Sequence, residues 1–65
     1  MKPMSHHDMI AAVQTALNSN GATLTADGRD GPKTHAALRA YQKQHNLKVT
    51  GRPDPATLQA LGIQQ

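Results

Sequence analysis

The chain has 65 residues, a formal charge of +3, no cysteine and a single tyrosine as its only Phe, Tyr or Trp. That length holds one small domain at most, and without cysteine neither a disulfide nor a thiolate metal site can staple it. Glutamate is absent and aspartate occurs four times, too few carboxylates outside caps and turns for glycoside cleavage, while the basic balance favours anionic partners.

Nothing near the N-terminus resembles a signal peptide: Lys2 supplies a charge, but the apolar runs of the MSHHDMIAAV that follows from Met4 are too short. No stretch approaches the ~20 apolar residues of a membrane span, so any export route is expected to lie outside this sequence. Ser5 with Asp8 forms a capping-box-like start, with Asp in place of the preferred Glu or Gln. Ile10, Val13 and Leu17 then recur at helical spacing, backed by Met9 and Ala16. These signals predict a helix over about residues 6–19, stopped by Asn18, Asn20 and Gly21. ATLTADGRDG is rich in turn formers, and Leu24 is its one large apolar residue. Pro32 suits a first helical position. A second helix is predicted to run from there to about His45, with Ala37, Leu38 and Tyr41 inward and Lys33, Arg39 and Lys43 outward. Asn46 ends it. LKVTGR reads as a short extended segment with Leu47 and Val49 alternating inward. Asp54 then caps Pro55 and opens a final helix through about Leu61.

The stretches Leu24–Leu38 and Leu47–Leu61 align without a gap, 23 positions apart, with seven identities in 15 pairs. The identical pairs are Leu24/Leu47, Gly28/Gly51, Arg29/Arg52, Pro32/Pro55, Thr34/Thr57, Ala37/Ala60 and Leu38/Leu61. Two copies are too few for a solenoid, which needs at least about three stacked units. Each copy reads as a loop that becomes a helix. Gly permits a positive φ, Pro starts the helix, Thr places a hydroxyl near free backbone groups of the first turn, and Ala-Leu packs it down. The expected architecture is an all-α three-helix bundle, with two turn-helix repeats after a leading helix. It forms a single domain over residues 1–65 with a core over about 6–63, in which nearly all the large apolar residues are committed.

The string from Asp27 to Leu61 resembles the peptidoglycan-binding domain type 1 family. The resemblance rests on Asp27-Gly28, Gly31-Pro32, Thr34, Ala37-Leu38, Tyr41-Gln42, Leu47, Val49, Gly51, Thr57 and Leu61. Val13-Gln14 and Leu17-Asn18 of the first helix also fit, so coverage is about residues 8–63. The resemblance implies a compact three-helix fold and non-catalytic attachment to bacterial cell wall, beside a wall hydrolase, amidase or transpeptidase. It implies a place in the cell envelope, periplasm or wall. Four positions depart from the family pattern: Asp30 and Ala22 stand where aromatics are frequent, Tyr41 replaces Phe, and Leu58 stands where Trp is frequent. With Tyr41 in a core phase, recognition would rest on hydrogen bonds and charge more than on sugar stacking.

The candidate ligand contacts are Asp27, Arg29, Asp30 and Lys33 in and after the first loop, with Tyr41 and Arg52. Arginine can hold a planar carboxylate through two parallel hydrogen bonds, and the stem peptides of peptidoglycan carry carboxylates. Arg29 and Arg52 occupy equivalent repeat positions that turn geometry does not reserve for Arg, a pattern that would suit a paired clamp and that common descent of the two halves explains equally well. Asp27 is expected to form an Asx-type turn with the N–H of Arg29. His6, His7, His35 and His45 are scattered without HExxH spacing, so they are read as solvated or capping residues; no metal or other cofactor is expected. No Ser lies in a GxSxG context, and the chain is read as no enzyme. A monomer is expected, as nothing marks a dimer seam. The runner-up is a small basic protein-interaction or nucleic-acid-binding module on the same scaffold. DNA reading is disfavoured because the final helix, PATLQAL, offers only Gln59 where a recognition helix needs several polar and basic residues. A third possibility is a family member that keeps the scaffold as a docking part.

Overall fold

Ser5 sits in extended geometry, and its Oγ accepts the Asp8 N–H at 3.1 Å, so α1 starts there and runs His6–Ser19. In this computed structural model, which describes residues 4–63, the other helices are α2 (Pro32–Gln44) and α3 (Pro55–Leu61). The described residues form an all-α, three-helix fold with no strand. Residues 1–3 and 64–65, part of the expected single domain, lie outside the described residues. The start of α2 and of α3 is set by proline in the first turn, where its missing N–H has no intrahelical partner to lose. Asn46 takes a left-handed φ of 57° just past α2, one of the few residue types that tolerate that conformation.

The apolar stripe of α1 meets α2 and α3 in one cluster. Val13, Leu17, Leu38, Tyr41 and Leu58 form its centre, with Met9, Leu24, Leu47, Leu61 and Ile63 among the residues packed around it. Ile10, Val13 and Leu38 are fully buried, and each such side chain contributes roughly 1.5–3 kcal/mol by leaving water. Tyr41 fills core, as its helical phase predicts, and its ring stacks on His45 with centroids 4.1 Å apart.

Three local expectations need correcting. Val49 is half exposed, and the residues around it form no strand. The loop turns inward through its backbone at Thr50 and Gly51, whose N–H groups both bond Gln42 Oε1, so the Val49 side chain is not drawn into the core. Asp54 occupies the N-cap position of α3 but makes no side-chain capping bond. Its carboxylate is taken by the Thr50 hydroxyl, which donates to Oδ2 at 2.6 Å. Thr34 and Thr57 are buried, at 3% and 1% exposure, and their hydroxyls accept from glutamine side chains rather than serving the helix backbone.

Candidate functional site

Two glutamines shape the loops that carry the candidate residues. Gln14 on α1 and Gln42 on α2 are 2% and 0% exposed, and a buried carboxamide must find partners for its donors and its acceptor. Gln14 Nε2 donates to the Arg29 carbonyl at 2.8 Å, Thr34 Oγ1 at 3.0 Å and Asp27 Oδ1 at 3.3 Å. Its Oε1 accepts the Gly28 N–H at 2.9 Å. Gln42 repeats the arrangement one unit later. Nε2 donates to the Arg52 carbonyl at 2.9 Å, Thr57 Oγ1 at 3.0 Å and Thr50 Oγ1 at 3.2 Å. Its Oε1 accepts from the Thr50 and Gly51 N–H groups at 3.0 and 2.9 Å. Each glutamine therefore ties one helix to the following loop and to the first turn of the next helix.

The turns themselves match. Asp27 Oδ1 accepts the Arg29 N–H at 2.9 Å, as expected of an Asx turn, and Thr50 Oγ1 accepts the Arg52 N–H at 3.1 Å. The Arg29 N–H holds the Asp27 carboxyl below its ordinary range; partial desolvation opposes this, and the Gln14 amide adds to the lowering. Gly28 and Gly51 have φ of 76° and 74°, the left-handed region that a side chain disfavours. A Cβ on Gly28 would also stand 2.5 Å from the His7 ring, and one on Gly51 3.1 Å from the Arg39 guanidinium.

This framework uses only the main chain of Arg29 and Arg52. Both side chains are exposed, and neither guanidinium bonds or pairs with any described residue. Lys33 is likewise exposed in the first turn of α2. Asp30 is engaged differently: its Oδ1 lies 3.0 Å from His35 Nε2, while His35 Nδ1 donates to the Gly51 carbonyl at 2.7 Å. His35 thus links the first loop to the second.

Three shallow depressions divide the candidate residues. One of about 480 Å³ has Asp27, Arg29 and Lys33 on its walls. Another of about 440 Å³ lies between the α2 face carrying Lys33, Ala36, Ala37, Ala40 and Tyr41 and the segment Asn20–Leu24. Lys33 and Leu24 line both, so these two form one continuous surface. A third, of about 520 Å³, holds Asp30, Arg52, His6, His35 and Asp54. Among the described residues, no three His, Asp or Glu side chains converge so as to hold a metal ion.

The family profile described as "Putative peptidoglycan binding domain" matches residues 6–61. The chain belongs to this family. A curated relative, "Putative OxPP cycle protein OpcA" of Synechococcus elongatus, is 54% identical over 35 residues, which is 54% of this chain and 8% of that protein's length. No solved structure matches the chain significantly.

In this peptidoglycan-binding-family chain, the sequence-predicted contacts do not converge on one spot. Arg29 and Lys33 share a depression with Asp27, Lys33 and Tyr41 share the next one, and Arg52 lies with Asp30 in the third. Arg29 and Arg52 thus line separate depressions. Sequence reading missed Gln14 and Gln42 as the residues that shape the loops. The pairs Ile10/Leu38, Val13/Tyr41, Gln14/Gln42 and Asn18/Asn46, all 28 positions apart, carry the signal. The shift from 23 to 28 arises because Gln14 and Gly28 are 14 residues apart, whereas Gln42 and Gly51 are nine apart.

Proposed function

We propose that this chain binds bacterial peptidoglycan without cleaving it, as a single unit within the cell envelope. Bound there, it keeps an associated wall-active enzyme or envelope machine at an insoluble substrate, raising the effective concentration. Family membership over residues 6–61 carries this reading. Supporting it is the free state of the Lys33 and Arg29 side chains on one continuous surface, since uncommitted cations beside a concave surface suit an anionic polymer. Arg29 and Lys33 are assigned to ligand carboxylates, Tyr41 to a hydroxyl contact and Arg52 to a secondary contact. Asp27 and Asp30 act chiefly by holding the first loop. No helix among the described residues is long and apolar enough to cross a membrane.

Co-sedimentation with purified sacculi, run beside binding to duplex DNA across a salt series, tests the reading. Retention in the sacculus pellet with weak, unspecific DNA binding is expected. Failure to pellet at any salt would overturn it, and DNA binding with a steep salt slope would favour the basic-module alternative.

A further inference from the structure

Resting on the peptidoglycan reading, we propose that the groove between α2 and the Asn20–Leu24 segment takes the stem peptide of peptidoglycan rather than its glycan strand. Lys33, Ala36, Ala37, Ala40, Tyr41 and Gln44 line its α2 side, a single stripe of side chains at helical spacing. Three alanines on that stripe leave room for a second backbone carrying side chains no larger than methyl at those points. At 1.5 Å per residue, the eleven steps from Lys33 to Gln44 span roughly 16 Å of helix. An extended peptide covers that length in about five residues, the size of a stem peptide.

The ends and the floor supply the chemistry. Lys33 stands at one end, exposed and unpaired among the described residues, where a stem-peptide carboxylate would meet it; Arg29 lies in the adjoining depression. Gln44 brings a carboxamide to the other end. Tyr41 is 5% exposed and lines the groove. Its hydroxyl bonds no described residue, yet no buried side-chain oxygen or nitrogen lacks a partner, so this hydroxyl reaches the open side of an otherwise buried ring. It is an unclaimed donor and acceptor on an apolar floor, suited to a peptide amide. A sugar ring, by contrast, gains most from an exposed aromatic face on which to stack, in addition to its hydrogen bonds. The only Phe, Tyr or Trp of the chain has its ring in the core and against His45.

The test titrates the intact chain with three probes: whole sacculi, peptide-free glycan strands released by amidase, and a synthetic stem tetrapeptide of L-Ala, γ-linked D-Glu, diaminopimelate and D-Ala. Amide shifts in a 15N-labelled sample report the contact site. The expected result is binding to sacculi and tetrapeptide, little binding to glycan strands, and shifts at Lys33, Ala36, Ala37 and Ala40. Ala40→Glu, on an exposed position that keeps helix propensity, should weaken tetrapeptide binding roughly tenfold with the melting temperature unchanged. Lys33→Gln should do about the same, the scale of one charge-assisted hydrogen bond. Binding to sacculi and glycan strands alike, with no shifts in the groove, would overturn this inference and leave the peptidoglycan reading standing. Failure to bind sacculi would overturn both.

Discussion

Replacing Gln42 with leucine removes a carboxamide and keeps nearly the same volume, so the effect isolates its hydrogen bonds. In the folded chain Gln42 bonds the Thr50 and Gly51 N–H groups, the Arg52 carbonyl and the Thr50 and Thr57 hydroxyls. Thr50 and Arg52 are partly or fully exposed and can turn to water, whereas Gly51 and Thr57 are buried. Two groups are therefore left sealed and unpartnered, each costing about 1–3 kcal/mol. Leucine's gain in apolar burial offsets part of this, leaving a net loss of about 3 kcal/mol. A domain of this size has on the order of 3–10 kcal/mol in total. Urea denaturation followed by circular dichroism should show the midpoint falling by about 3 M, taking a slope near 1 kcal/mol/M. A fall smaller than ~0.5 M would mean that the loop does not depend on Gln42, and the account of the paired glutamines would be wrong.

Two further outcomes follow from the same loops. Gly28→Ala should lower stability in thermal melts by about 1–2 kcal/mol through its left-handed backbone, since His7 is exposed and can swing clear; Gly31→Ala, with φ of −100° and open space around it, should cost less, because alanine's poorer N-cap is set against the entropy it removes from the unfolded chain. The lowered Asp27 carboxyl contributes stability that is present above its unfolded value near pH 4 and is lost as pH falls through the folded value. Asp27→Asn should accordingly flatten the acid limb of the melting-temperature profile, and an unchanged limb would remove Asp27 from that role.

Helices were the legible part of this sequence. The periodicity of Ile10, Val13 and Leu17, the Ser5 cap and the two prolines place all three elements, because each signal acts within one turn of the residue that carries it. The loops were less legible because their anchors are distant in sequence. Gln14 sits on a helix face that periodicity alone assigns to apolar side chains, and its partners lie 13 to 20 residues away. Val49 was misplaced for the same reason: alternation presumes an extended strand, while Gln42 folds the segment around its own carboxamide. Among the candidate contacts, Arg29 and Arg52 stand out in the sequence because the turns have no use for their side chains and bond only their main chains. The groove over Ala36 and Ala40 had no such signal, since it exists only once the Asn20–Leu24 segment faces α2.

The most direct test of wall binding is sacculus retention of the chain beside an Arg29→Gln/Lys33→Gln double variant, both at a salt concentration near physiological. Both side chains are exposed, and the Gln14 network uses only the main chain of Arg29, so the two proteins should melt alike. The account predicts that the unaltered chain pellets with sacculi and that the double variant stays largely in the supernatant. Equal pelleting of the two would contradict the assignment of this surface, and absence of the unaltered chain from the pellet would contradict peptidoglycan binding itself.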